Sequence, residues 1–150
     1  NTYSALLKSI VDATQFSSDP ANRKDIAKAI APKNYLNQPI PVIEQVLTGT
    51  YADGLGAVKK VPDRIDFDPF PWHSMAVWIL TQMKRWGYVE GSIDYKKIAE
   101  QVYLASDAKK MLTELGYGAP DKTYENYTIM GKEFDYNKPE EYIASFDIKR

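Results

Sequence analysis

The stretch that decides the fold lies between residues 72 and 87 and reads WHSMAVWILTQMKRWG. Its large apolar side chains recur at the spacing of an α-helix, and Gly87 is a residue suited to ending one. The pattern predicts a helix over residues 72–86, apolar enough to be buried on most sides. Its predicted inward residues are Met75, Val77, Trp78, Ile79, Leu80, Gln82, Met83 and Trp86. The centre of the core is expected at Trp78, Ile79, Met83 and Trp86.

The sequence on both sides of this helix also has helical periods. Asp19 is suited to capping a helix that begins at Pro20, and Gly49 is suited to ending a third helix. The predicted helical segments are about 2–16, 20–31, 41–48, 72–86, 95–103, 108–115 and 139–146. We therefore predict a mainly α fold, with five to six helices forming a single domain over residues 1–150.

The apolar positions of the other helices predict which sides face inward. These residues are Tyr3, Leu6, Leu7, Ile10, Ala13 and Phe16 in the first helix, Ile26, Ala27 and Ile30 in the second, Val42, Val46 and Leu47 in the third, Ile98 and Val102 in the fifth, and Met111, Leu112 and Leu115 in the sixth.

Two long stretches have no helical period. In residues 50–71, Ile65 and Phe67 alternate with polar residues, which favours a short strand there. Residues 117–135 contain scattered aromatic side chains, which predict an ordered strap lying over the helices. We expect at most one or two short strands and no parallel sheet.

Charge and composition exclude several classes of protein. The chain has 19 Lys and Arg against 20 Asp and Glu, with a net charge of −1. A nucleic-acid-binding protein would need a basic excess, so no nucleic-acid partner is expected. The absence of cysteine removes disulfides and thiolate metal sites. No segment approaches the roughly 20 apolar residues of a membrane span.

His73 is the only histidine, and it is therefore the one residue around which acid–base catalysis could be built. Ser74 beside it is too close in sequence to be a convincing nucleophile. The preferred interpretation is that His73 caps or contacts a neighbour at the helix start; the alternatives, in order, are that it touches a ligand or that it moves a proton. Because the sequence nominates no second catalytic group, we do not predict an enzyme.

Three aspartates are weak candidates for a calcium site. Asp63, Asp66 and Asp68 supply the oxygen ligands that calcium prefers. Their spacing does not match an EF-hand loop, so a solvated acidic loop is the preferred interpretation. The prediction is therefore no cofactor, with calcium as the alternative.

Residues 70–87, FPWHSMAVWILTQMKRWG, resemble a run in nitrate-, nitrite- and bicarbonate-binding proteins. The shared elements are Phe-Pro, Ser, Trp, Thr-Gln-Met and Arg-Trp-Gly, in that order. Residues 131–146, GKEFDYNKPEEYIASF, are similar to the C-terminal end of that family. The opening helix pair, with Asp19-Pro20 and Asn34-Tyr35-Leu36, also follows the family's order. The resemblance covers nearly all of the chain.

The resemblance implies the solute-binding component, or part of one, of an ABC-type transporter for nitrate or a similar oxyanion. Members of the family form a two-lobed clamshell that captures the anion and delivers it to a permease driven by an ATPase. This chain resembles only their C-terminal portion, and most of the residues that hold the anion lie upstream of it. The alternative is a regulatory or docking domain derived from such a protein, for example one appended to a transporter ATPase.

The resemblance also implies partners, a location and a site. The partners are nitrate, nitrite or bicarbonate and the permease and ATPase subunits. The parent protein is expected outside the cytoplasm, periplasmic or membrane-anchored, or in the cytoplasm if it is fused to an ATPase. Relatives often have a basic residue where this chain has His73. The start of the helix, at Trp72, His73 and Ser74, is therefore the predicted anion contact, because helix N-termini present free N–H groups.

Overall fold

The computed structural model describes residues 2–129 and 131–148. It is mainly α, as predicted, but the described residues form seven α-helices where five to six were predicted, together with two short antiparallel hairpins. The chain divides into two compact units, Asn1–Pro69 and Phe70–Arg150. The assignment of residues 1–150 to a single domain stays a prediction. No helix in the described part of the chain is both long enough and apolar enough to cross a membrane.

The first unit contains three α-helices and one hairpin. The helices are α1 (Thr2–Ser18), α2 (Arg23–Ile30) and α3 (Ile40–Thr48), and a 3-10 turn (Pro20–Asn22) lies between the first two. The Asp19 side chain accepts a hydrogen bond from the Ala21 backbone N–H at 2.9 Å, which confirms the predicted cap. The packing between α2 and α3 buries Ala27, Ile43 and Leu47, with Ile65 and Phe67 partly buried against them.

The chain turns from α3 directly into the first hairpin. Strands β1 (Thr50–Ala52) and β2 (Val58–Lys60) are antiparallel, with Thr50 opposite Lys60. Gly49 ends α3 with a φ of 69°, and a Cβ built on it would lie 1.9 Å from the Val61 carbonyl oxygen. Only glycine fits this turn, because both the backbone conformation and the close approach exclude a side chain.

Arg23 is the buried charged residue of this unit. Its guanidinium donates one hydrogen bond to the Leu47 carbonyl, at the end of α3, and another to the Ile65 carbonyl at 3.3 Å. A cation is favoured at a helix C-terminus, where carbonyls lack intrahelical partners. Arg23 therefore joins α2, the end of α3 and the irregular segment around Ile65.

The second unit is built around α4 (His73–Arg85). It continues with α5 (Tyr95–Val102), α6 (Ala105–Glu114) and α7 (Pro139–Ala144). Between α6 and α7 lies a hairpin of β3 (Tyr127–Ile129) and β4 (Lys132–Phe134), with Tyr127 opposite Phe134. Its main core cluster consists of Ala76, Val77, Tyr95, Ala99, Phe134 and Tyr142.

The strap predicted over residues 117–135 contributes to this core. Phe134 is fully buried and packs edge-to-face on Tyr142, with ring centroids 5.0 Å apart. The segment is not uniformly extended, since it ends in the β3–β4 hairpin. The count of at most one or two strands was wrong, because the described residues form four. The strand expected at Ile65 and Phe67 was also wrong: both lie in irregular chain, and the strands are at residues 50–52 and 58–60.

The predicted inward side of α4 was largely wrong. Met75, Ile79, Met83 and Trp86 are 38–43% exposed, whereas Ser74 and Thr81, which were not predicted to face inward, are buried. Val77 is fully buried, as predicted. Trp78 does pack against the core cluster, but from a partly buried position. The helix therefore buries Ser74, Ala76, Val77 and Thr81 and leaves Met75, Ile79 and Met83 exposed.

The predicted faces of the other helices gave mixed results. Those of α2 and α6 are confirmed by the burial of Ala27, Met111 and Leu112. In α3, Leu47 is buried as predicted, but the second buried residue is Ile43. The inward-facing predictions contradicted by exposure are Tyr3, Leu6, Ile10, Ala13 and Phe16 of α1, Val42 and Val46 of α3, and Val102 of α5. Helical periodicity identified apolar stripes correctly but did not show whether this chain covers them.

Candidate functional site

Backbone hydrogen bonds occupy N–H groups at the start of α4. Trp72 precedes the helix in an extended conformation and makes no side-chain cap hydrogen bond. The His73 N–H donates to the Thr123 carbonyl at 2.8 Å, and the Met75 N–H donates to the Trp72 carbonyl at 3.0 Å. The N–H groups that a bound anion would use are therefore partly occupied by acceptors of the chain itself.

The His73 ring faces the end of α5. Its Nε2 lies 2.9 Å from the carbonyl oxygen of Tyr103, so Nε2 carries the proton and donates. Its Nδ1 is buried and has no hydrogen-bond partner among the described residues. The ring also contacts Tyr124, with centroids 5.2 Å apart. This geometry fits the helix-start contact, which was the first of the three interpretations of His73.

Ser74 is fully buried and bonded to the C-terminal segment. Its Oγ accepts a hydrogen bond from the Glu125 backbone N–H at 3.2 Å and donates to the Tyr127 hydroxyl at 3.4 Å. Since both contacts come from residues 125–127, Ser74 holds this segment against α4. Within the described residues no hydrogen bond joins the His73 ring to the Ser74 hydroxyl, so they do not form a nucleophile–base pair.

Trp72 is partly buried beside Phe70. The two rings meet edge-to-face, with centroids 5.0 Å apart. The three predicted site residues thus lie together at one end of α4, as expected from their adjacency. A role in anion binding stays a prediction for all three.

Sequence reasoning missed the partners of this end of α4. Thr123, Glu125 and Tyr127 lie about 50 residues away in the chain, and Tyr103 lies 30 residues away. The concentration of aromatic residues in the strap was the available signal that this segment packs on something. It could not show which helix the segment contacts.

Tyr124 extends this cluster towards α5. Its hydroxyl donates to the Glu100 carboxylate at 2.9 Å. Burial, and then the hydrogen bond to Glu100, raise the pKa of the Tyr124 hydroxyl well above its ordinary value. Tyr124 therefore stays neutral at physiological pH and acts as a donor.

A second polar cluster joins α4, α5 and α7. Lys84 Nζ lies 2.7 Å from Glu140 Oε1, and the Tyr95 hydroxyl donates to the same oxygen at 2.8 Å. The hydrogen bond from Lys84 holds the pKa of Glu140 below its ordinary value. An open cavity of about 370 Å³ lies next to Lys84 and is lined also by Gly87 and Glu90. The Lys84 ammonium is already paired, so the cluster fits a structural role.

The three calcium candidates lie along an exposed segment. Asp63 is in a 3-10 turn, and Asp66 and Asp68 follow it in irregular chain. Among the residues that the structure describes, no group of three or more His, Asp or Glu side chains has a geometry that could hold a metal ion.

Comparison with known proteins shows which proteins the chain resembles. No protein-family model matches the chain. Curated proteins do: over 97–100% of its length the chain is similar to nitrate/nitrite-binding and bicarbonate-binding proteins. The resemblance inferred from the sequence is therefore confirmed: over nearly its whole length the chain is similar to part of the nitrate/nitrite-binding and bicarbonate-binding proteins.

Two anion-binding proteins and one ATP-binding protein are among the relatives of the chain. The chain is 30% identical over 155 residues to the nitrate/nitrite binding protein NrtA of Synechococcus elongatus, covering 97% of this chain and 35% of NrtA. It is 25% identical to the bicarbonate-binding protein CmpA of the same species, covering 97% of this chain and 36% of CmpA. It is also 27% identical to the nitrate import ATP-binding protein NrtC of Synechocystis, covering 99% of this chain and 23% of NrtC.

A solved structure shows the fold. The periplasmic nitrate-binding protein NrtA from Synechocystis PCC 6803 superposes with a TM-score of 0.89 at 23% identity, covering 99% of this chain and 41% of that protein. The chain thus spans between about a quarter and two fifths of the length of the relatives described here.

Proposed function

We propose that the chain is part of the solute-binding component of an ABC-type transporter for nitrate or a similar small oxyanion, and that it is not an enzyme. The observation that carries this proposal is the 30% identity to a nitrate/nitrite binding protein over 97% of the chain. The superposition on a nitrate-binding protein supports a common fold. On this proposal the partners are the anion and the permease and ATPase subunits, and the parent protein lies outside the cytoplasm.

The alternative is a regulatory or docking domain appended to a transporter ATPase. The similarity to the ATP-binding protein NrtC favours it, because that match also covers nearly all of this chain. The contacts at the start of α4 agree with it as well. The His73 N–H and the Ser74 hydroxyl are both engaged by the C-terminal segment. On this alternative the domain is cytoplasmic and binds no anion of its own.

Isothermal titration of the purified chain with nitrate, nitrite and bicarbonate, each with and without calcium, tests the proposal. Saturable binding of one anion would mean that this chain carries a working anion site, and loss of that binding in His73→Ala would place it at the start of α4. Tyr88→Ala is a matched control, because Tyr88 is an exposed side chain of the same unit. If a cooperatively folded sample binds none of the anions, the docking alternative is favoured.

A further inference from the structure

His73 is the only histidine of the chain, and it lies where three segments of the second unit meet. Its ring Nε2 donates to the Tyr103 carbonyl at the end of α5, at 2.9 Å. Its backbone N–H donates to the Thr123 carbonyl of the strap at 2.8 Å. The ring also contacts the Tyr124 ring, with centroids 5.2 Å apart. One residue of α4 therefore contacts both the end of α5 and the strap.

The surroundings of the His73 ring suit a neutral imidazole. The proton on Nε2 is donated to Tyr103, so Nδ1 carries a lone pair and no proton. Nδ1 is buried, and none of the described residues forms a hydrogen bond with it. Protonation of the ring would add a second N–H and a positive charge at this buried atom. Because no acceptor of the described residues faces it, the new N–H would be unsatisfied while the ring stays in place.

The two helix ends beside the ring act on its charge in opposite directions. His73 is the first residue of α4, where the helix dipole disfavours a cation. Tyr103 follows the last residue of α5, where the helix dipole favours a cation. The hydrogen bond from Nε2 to Tyr103 is made by the neutral and by the charged ring. The two charge states therefore differ in their hydrogen bonding at Nδ1.

The charged side chains that flank these contacts do not supply an acceptor for Nδ1. The Glu100 carboxylate accepts from the Tyr124 hydroxyl at 2.9 Å instead. The ammonium of Lys96 lies 5.8 Å from the centroid of the Tyr124 ring. The flanking charged residues, all of them exposed, are Lys96 and Glu100 on α5, Asp107 on α6, and Lys122 and Glu125 on the strap.

We propose that His73 is a pH-sensitive switch that holds the strap on the start of α4 while its ring is neutral and releases it when the ring is protonated. Histidine is the side chain that changes charge between about pH 5 and pH 8. A charged ring exposes Nδ1 to water only by leaving Tyr103 and Tyr124. The release is local, because the fully buried Phe134 keeps the far end of the strap in the core. All these contacts lie in the second unit, so the switch does not depend on which anion is bound.

Nuclear magnetic resonance of the whole chain follows the charge of the ring and the release of the strap separately. Because His73 is the only histidine, one set of imidazole signals reports its protonation. Amide hydrogen exchange, corrected for the intrinsic effect of pH, reports the release through the Glu125 N–H, which donates to Ser74 Oγ. We expect its protection to fall at least about tenfold between about pH 7.5 and about pH 5.5. The fall should follow the titration of the His73 ring.

His73→Gln is the matched variant, because a glutamine amide can donate to the Tyr103 carbonyl and does not titrate in this range. The Glu125 N–H should keep its protection at both pH values in this variant. In the wild type the Ala31 N–H, at the end of α2, should keep its protection as well. Constant protection of the Glu125 N–H while the ring titrates, or a ring that stays neutral throughout, would overturn the proposal.

An equal loss of protection in His73→Gln would also overturn the proposal, since another titrating group would then cause the release. Glu100→Gln provides a second test that leaves His73 in place. The glutamine keeps an acceptor for the Tyr124 hydroxyl and removes the carboxylate. Protection of the Glu125 N–H should fall with pH in this variant as it does in the wild type. Constant protection in Glu100→Gln would assign the effect to Glu100 and contradict the role of His73.

Discussion

The indole N–H of Trp78 donates a hydrogen bond to the hydroxyl of Tyr142 at 3.1 Å. The two residues are 64 positions apart in the chain, and their hydrogen bond joins two helices. Trp78 lies on α4 and Tyr142 on α7, the last helix of the second unit. Tyr142 also packs edge-to-face on both Phe134 and Phe146. The C-terminal segment is thus part of the second unit's core.

Tyr142→Phe is expected to keep this packing and remove the acceptor of the Trp78 N–H. An unsatisfied, partly buried donor costs about 1–3 kcal/mol in unfolding free energy. Urea unfolding followed by tryptophan fluorescence measures it, and all three tryptophans of the chain lie in the second unit. The control is Tyr88→Phe, which removes an exposed hydroxyl. Equal stability of the two variants would show that the Trp78–Tyr142 bond contributes nothing.

Phe134→Ala tests the contribution of the strap to the core. Phe134 is fully buried, so its loss should cost about 3–5 kcal/mol, the range for truncating a buried phenylalanine. Truncation after Gly116 removes Phe134 and Tyr142 together and should lower the melting temperature of the second unit substantially. An unchanged melting curve for the truncated chain would show that the segment is only a tail.

Comparing Gly49→Ala with Gly54→Ala separates the cost of a steric clash from the cost of the left-handed backbone conformation. Both glycines have positive φ, 69° and 77°. A Cβ at Gly49 meets the Val61 carbonyl, whereas nothing lies within 4 Å of one at Gly54. Gly54→Ala should therefore cost about 1–2 kcal/mol from the left-handed conformation alone, and Gly49→Ala clearly more. Far-UV circular dichroism during thermal unfolding measures both. Equal costs would contradict the close approach.

Arg23→Lys tests the hydrogen bonds that join α2 to the end of α3 and to the irregular segment around Ile65. A lysine ammonium is a compact point charge and lacks the planar fork that reaches two separated carbonyls. We expect a loss of about 1–3 kcal/mol, because one buried carbonyl loses its donor. Amide hydrogen exchange of residues 23–67 reports the loss. Lys24→Met is the control, since Lys24 is exposed. Unchanged hydrogen exchange in Arg23→Lys would show that the Arg23 hydrogen bonds do not stabilise this unit.

The Glu140 cluster predicts a dependence of stability on pH. The folded-state pKa of Glu140 is depressed, so its stabilising effect is fully present above its ordinary pKa and is lost as the pH falls through the folded value. Glu140→Gln should lower the unfolding free energy at pH 7, by no more than about 1 kcal/mol because the pair is partly solvent-exposed.

The difference between the wild type and Glu140→Gln should shrink towards zero in acid. Urea unfolding at a series of pH values below 7 measures it. Glu90→Gln makes the same charge change at an exposed side chain. A difference that is independent of pH would contradict the ionic origin of the effect.

Much of the fold could be predicted from local signals. All seven predicted helical segments are present, because capping residues and helical periods act within a few residues of each helix. Gly49 and Asp19 have the roles expected of them. The errors concern packing: Ile79 and Met83 were predicted to face inward and are exposed, whereas Thr81 was not and is buried. A periodic pattern shows that a helix has an apolar stripe but not which side this chain covers.

The candidate site was predictable only in its location. The sequence placed Trp72, His73 and Ser74 at a helix start, and the structure places them there. Their partners at Tyr103, Thr123 and Glu125 depend on long-range contacts that leave no local pattern. Since the chain spans only 41% of the solved relative, any ligand groups contributed by the unmatched region are outside what this sequence can specify.

We propose that this chain is part of an oxyanion-binding protein. The most direct test is isothermal titration with nitrate of a chimera in which the chain replaces the matching part of Synechocystis NrtA. We expect saturable binding of nitrate by this chimera and no binding by a chimera that lacks the chain altogether. A chimera that unfolds cooperatively and binds no nitrate, nitrite or bicarbonate, under conditions in which intact NrtA binds nitrate, would contradict it.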